Sequence, residues 1–97
     1  MKKFVLVHVG FIPPTPEIME AWGTWFASFE DKLVDGGNIG VGPGKEISES
    51  GMIDLPFDTE AVTGFSIIEA EDMDAAVRIA EGCPTITSVR VYEVRSK

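Results

Sequence analysis

Histidine, cysteine and tyrosine occur once each in this 97-residue chain, and eight lysines and arginines stand against sixteen aspartates and glutamates. The lone Cys83 excludes an intrachain disulfide framework and a CxxC metal site, which fits a reducing compartment, so a cytoplasmic location is expected. One histidine and one cysteine cannot build a zinc site, and the plentiful acidic residues do not show calcium-loop spacing. No metal and no cofactor are expected. A net charge of −8 and a pI near 4.4 leave no basic patch to displace counterions from DNA or RNA, so nucleic acid is excluded as a partner. The same charge disfavours anionic membrane surfaces. No run approaches the roughly 20 apolar residues that span a bilayer. Lys2 and Lys3 before Phe4 to Ile12 imitate a short signal peptide, but His8 interrupts the run, and Pro13, Pro14, Thr15 and Pro16 follow where a small-residue cleavage site would stand.

What is present is ordinary globular material, 44% hydrophobic and 25% charged, in one domain spanning residues 1–97. The most informative stretch is Asp54 to Ala70. It opens on a turn-like Asp54-Leu55-Pro56-Phe57 and enters Val62 to Ala70, whose Val62, Phe65, Ile67 and Ile68 suit a central strand. From Glu69 to Asp74 the apolar spacing changes from two to about 3.6, so that strand runs straight into a helix. Asp72 can cap it, Met73, Ala76, Val77 and Ala80 form its apolar stripe, and Gly82 with Pro84 stops it.

Upstream, Phe4 to Val9 reads as a buried strand with Phe4, Leu6 and His8 on one face and Val5, Val7 and Val9 on the other. Thr15 caps a first helix with Pro16 at its first position. Ile18, Trp22, Trp25, Phe26, Phe29 and Leu33 give that helix a wide aromatic stripe, and Gly36-Gly37 is expected to end it. A glycine-rich loop over Gly37 to Gly44 then leads to a short edge strand around Lys45 to Glu49, and Glu49 to Thr63 reads as a loop. The glycines match no phosphate-binding pattern: Ile39 and Glu46 break a P-loop register, and Lys45 breaks the dinucleotide one. Ser88 to Arg95 is a last strand whose valines change parity, which calls for a bulge or burial on both sides.

This β-α-β, β-α-β order predicts an α+β fold of the ferredoxin-like split βαβ kind, a four-stranded antiparallel sheet with two helices on one face. Two helices cover one face only, yet the first strand is apolar on both. A second copy is the economical cover, so a homodimer is expected.

The run D-L-P-F, then T-G-F-S-I-I-E-A-E-D-M-D-A-A-V-R-I-A, then C-P and the closing V-Y-E-V-R resembles the bacterial YCII-related or DGPF-domain proteins. Trp22 and Trp25, and the Gly-rich turn after them, fit the same pattern. The resemblance implies a dimeric α+β barrel, two sheets face to face with a cleft in each protomer. Leu55 stands where that family usually has glycine, and the loop before Gly64 is shorter. Some members carry a histidine on the first helix, paired with an aspartate as acid and base. Here the middle of that helix reads Trp22, Gly23, Thr24, Trp25, Phe26, so that dyad does not transfer.

Each candidate site residue has two readings. His8 is the one side chain with an ordinary pKa near neutrality; it reads as an acid/base group oriented by Asp54, or as a packed histidine satisfied by a neighbour. Trp22, Trp25, Phe26 and Phe65 read as walls for a flat small-molecule ligand, or as core. Arg90 reads as a carboxylate holder, or as protective charge on an edge strand. Cys83 before Pro84 reads as packing, or as a nucleophile where a base lies nearby, and the one histidine is far away in sequence. Two functional classes stay open: a small-molecule cleft with acid/base chemistry at His8, and a non-catalytic ligand-sensing or protein-interaction module.

Overall fold

The computed structural model describes residues 1–40 and 44–95. Residues 41–43 of the expected glycine loop lie outside that range. The elements are β1 (Lys2–Val9), α1 (Pro16–Ser28), β2 (Leu33–Asn38), β3 (Gly44–Ser48), β4 (Gly51–Leu55), β5 (Val62–Ala70), α2 (Met73–Glu81) and β6 (Ser88–Val94). The main sheet is ordered β2-β5-β1-β6 with every pairing antiparallel, and β3 and β4 form a separate two-stranded hairpin. This is the expected α+β, ferredoxin-like arrangement, with Val62–Ala70 as an interior strand. No helix of the described residues is long and apolar enough to cross a membrane.

Both helix starts follow from local chemistry. The Thr15 hydroxyl accepts the Ile18 amide at 3.2 Å, with Pro16 placed where its missing N–H is harmless. The Asp72 carboxylate accepts the Ala75 amide at 2.8 Å. On α2 the buried stripe is Ala76 and Ala80, whereas Met73 and Val77 of the expected stripe face solvent. The small side chains let α2 lie close against β1, β5 and β6, and its Ala75 and Ile79 turn toward the core. Helix α1 is instead held off the sheet by the rings of Trp25 and Phe29, and the Trp25 indole donates to the Ile79 carbonyl at 2.9 Å. Phe4, Leu6, Ile68 and Ala70 from the sheet complete this core.

Three sequence expectations change. Helix α1 ends at Ser28, not at Gly36-Gly37, and the chain from Leu33 is drawn into the sheet beside β5. The glycine pair serves close approach there, since a Cβ on Gly37 would sit 3.1 Å from the Phe65 ring and one on Gly36 would sit 3.1 Å from the Phe65 carbonyl. The Lys45 to Glu49 region does form a strand, but it pairs with Gly51–Leu55, inside what reads as loop, and leaves the main sheet edge to β2. Strand β6 has neither the bulge nor the burial on both sides that its valines suggest: it pairs with β1 in continuous register, with Val89 and Val91 on the core and Tyr92 and Val94 exposed. The register shifts of the sheet lie between His8 and Val9 in the β1–β5 pairing and between Leu33 and Asp35 in the β2–β5 pairing.

Truncating the core should show where stability resides. Leu6→Ala removes a fully buried side chain and should cost about 2–5 kcal/mol, and Trp25→Phe, which loses the bond to Ile79, about 1 kcal/mol. Urea unfolding of the two variants checks both; a Leu6→Ala loss under about 1 kcal/mol would contradict this packing.

Candidate functional site

Antiparallel partners share a sheet face, so the register sorts the side chains. Phe4, Leu6 and His8 pair with Ile68, Ser66 and Gly64, and all six are buried beneath the helices. The face shared by Phe4, Leu6 and His8, which the sequence leaves unassigned, is therefore the helix-covered one. The larger side chains of β1 fill the helix-covered face, and the smaller Val5 and Val7 lie on the other.

His8 is 7% exposed. Its Nε2 lies 3.0 Å from Ser66 Oγ and its Nδ1 3.7 Å from Cys83 Sγ. The indoles of Trp22 and Trp25 meet the imidazole edge-on, with centroids at 5.1 and 5.6 Å. A neutral imidazole, with one N–H and one lone pair, suits a hydroxyl on one side and a thiol on the other. Burial pushes the His8 pKa down to about 4 and the Cys83 thiol up to about 12, so both are uncharged at neutral pH. The Ser66–His8 distance is that of a nucleophile and its base, but Ser66 is wholly buried, which denies a substrate access. Among the described residues no buried side-chain polar atom lacks a partner.

Asp54, expected to orient His8, is on the exposed hairpin, where its carboxylate accepts from Lys45. Of the expected ligand walls, Trp25 is buried and Trp22 partly buried, both against His8, and Phe26 is partly buried behind them against the two indoles. Phe65 and Arg90 are on the opposite face of the sheet. One row across that face runs Gly37, Phe65, Val7, Arg90; the next runs Asp35, Ile67, Val5, Tyr92. Val5, Val7, Phe65 and Ile67 are half-buried with no helix above them, while Arg90, Tyr92 and Asp35 are exposed. The floor is therefore apolar in the middle and polar at both edges. Asp35 and Tyr92 escape sequence reasoning because their place depends on the register of strands far apart in the chain. A separate groove of about 610 Å³ runs along the outer seam of α1 and α2, past Lys32, Glu71 and Arg78. Trp25 lines it, but His8, Ser66 and Cys83 do not, and none of the open-face residues does.

The sequence pattern of the YCII-related domain matches residues 17–96. Among solved structures, the chain is similar to the 5-chloro-2-hydroxyhydroquinone dehydrochlorinase TftG of Burkholderia phenoliruptrix AC1100, determined in complex with 2,5-dihydroxybenzoquinone, at 17% identity and a TM-score of 0.58 over 98% of this chain and 95% of that one. At that identity the likeness establishes the fold alone. No curated protein matches the chain.

The setting of His8 has a measurable sign. Its folded pKa, about 4, lies below the ordinary 6.5, so between those values the unfolded chain binds the extra proton. The contribution is complete above pH 6.5 and is lost as pH falls toward 4, with a slope of at most about 1.4 kcal/mol per pH unit. NMR titration of the single imidazole should give a value well under 6.5, and His8→Gln should remove that part of the slope. A midpoint above 6.5 would instead indicate a carboxylate partner.

Proposed function

The chain belongs to the YCII-related domain family, and from that premise we propose that it acts as a homodimer whose open sheet faces pack together and hold a small, flat, oxygen-rich ligand in the cleft between them. The observation that carries this reading is the uncovered sheet face, apolar along Val5, Val7, Phe65 and Ile67 and edged by Arg90, Tyr92 and Asp35. Such a face is half of a core, and a second identical face completes it by two-fold symmetry. A ring stacks on Phe65. Arg90 offers a planar fork of donors to a carboxylate or phenolate oxygen, and forms no ion pair among the described residues. Asp35 supplies a carboxylate that can accept a proton from a ligand hydroxyl at the far edge. The dihydroxybenzoquinone bound by the dehydrochlorinase is a ligand of this class, which supports the reading by analogy of fold.

In this reading His8 maintains the wall behind the cleft and takes no proton from substrate. Its satisfied, neutral surroundings support that role over pairing with Asp54. The same packing favours a second reading, a ligand-sensing or interaction module without turnover, because the chain's one imidazole is withdrawn from solvent.

Light scattering at micromolar concentration should return twice the mass of one chain. With 2,5-dihydroxybenzoquinone as probe, Arg90→Ala should weaken binding at least tenfold, about 1.4 kcal/mol, without loss of fold. A folded monomer, or equal affinity in the variant, would remove the cleft as drawn. Release of product from a halogenated hydroquinone by the wild type would separate the enzyme from the sensor.

A further inference from the structure

The β3–β4 hairpin is the least explained part of the molecule. Every residue of both strands is exposed, including Ile47 at 79%, Met52 at 60%, Ile53 at 56% and Leu55 at 39%. Alternation places Ile47 and Met52 on one side with the Lys45–Asp54 ion pair, and Ile53 and Leu55 on the other with Glu46. A two-stranded ribbon is marginal in water by itself, and one apolar on both sides with open edges invites association. The radius of gyration, 14.5 Å against about 13 Å for a compact chain of about 100 residues, reflects this projection.

We propose that the hairpin is an arm that reaches onto a second copy of the chain and forms the missing wall of its cleft, setting Glu46 of the partner subunit against Arg90. This rests on the face-to-face dimer proposed above. Area is the first argument. Strand spacing and rise give the four-stranded face a footprint of roughly 20 by 25 Å in projection. A stable interface buries roughly 800 Å² of accessible surface on each partner, and the exposed Ile47, Met52, Ile53 and Leu55 of the arm add apolar area to what the sheet face offers toward that figure. Position is the second argument. The hairpin springs from the sheet end where Asn38 pairs with Gly64, one step beyond the row that holds Phe65 and Arg90, and Phe57 at its base packs against Phe11 in a tilted pair with centroids 4.6 Å apart. Charge is the third. Glu46 lies beside the apolar Ile53 and Leu55, and Arg90 lies beside the apolar Val7, so pairing them buries both apolar strips under a matched charge. A carboxylate engages two of the five guanidinium N–H donors, which leaves the rest for a ligand.

Sedimentation of Glu46→Arg and Arg90→Glu, singly and mixed, tests the arm. Each variant alone places like charges together at both contacts of its homodimer and should dissociate at least tenfold more readily than wild type. An equimolar mixture restores opposite charges at both contacts of the heterodimer and should dimerise nearly as the wild type does. Ile53→Ser with Leu55→Ser should weaken dimers without altering the monomer's circular dichroism. Variants that all dimerise as the wild type does would overturn the arm and leave the face-to-face dimer standing. Weakened single variants that the mixture does not rescue would overturn the Glu46–Arg90 contact between subunits. A wild type that stays monomeric would overturn the dimer itself, and the arm with it.

Discussion

The antiparallel pairing of β1 with β5 is the constraint on which the rest of this structure depends. With Leu6 opposite Ser66 and Val7 opposite Phe65, every side chain of the two interior strands is assigned to one face or the other. A slip of one residue would put Phe4, Leu6 and Ile68 into water and valines under the helices. The helix layer then follows from what that face presents: tight apposition of α2 through Ala76 and Ala80, and a wider gap that Trp25 of α1 and Phe29 at its C-cap fill. Everything offered to a ligand or a partner is what this sorting leaves on the other side.

The polar residues beneath the helices reinforce that register. A histidine and a serine in an apolar core each cost free energy unless paired, and here they satisfy one another at 3.0 Å. The imidazole also fills the space between two indoles and the Cys83 thiol, where an aliphatic side chain would leave edge-on aromatic contacts unmade. Shifting β1 against β5 would break the Ser66 contact and strand both groups. The register therefore has a polar lock in addition to its apolar pattern.

Features set by local chemistry were legible in the sequence. Thr15-Pro16 and Asp72 start helices by bonds made within three residues, and the change of apolar period after Ala70 marks a strand that becomes a helix. Features set by contacts between distant segments were not. Gly36-Gly37 has the look of a helix terminus, yet its reason lies at Phe65, nearly thirty residues on. Alternation divides Phe4, Leu6 and His8 from Val5 and Val7 but is silent on which group the helices cover, and a polar histidine invites assignment to the wetter side. The parity of Ser66, Ile68 and Ala70, small or apolar residues leading directly into the helix, is the sequence signal that points the other way. Asp54 and Leu55 read as loop because a hairpin off the main sheet lacks the one-sided pattern that identifies a half-buried strand.

That missing one-sidedness bears on the hairpin's physical role. A strand buried against its own domain shows one apolar face, and a solvated ribbon shows none; Ile47 with Met52 and Ile53 with Leu55 give this one apolar side chains on both. Residues of that kind stay in water only at a cost of order 25 cal/mol for each Å² left uncovered. The ribbon's own domain covers neither side, and the proposed contact with a second copy would relieve that cost. A net charge of −8 opposes indiscriminate association, and in the proposed dimer Glu46 selects the surface that bears Arg90. The chain thus combines uncovered apolar surface, on one sheet face and both sides of one ribbon, with charges that limit what can approach it.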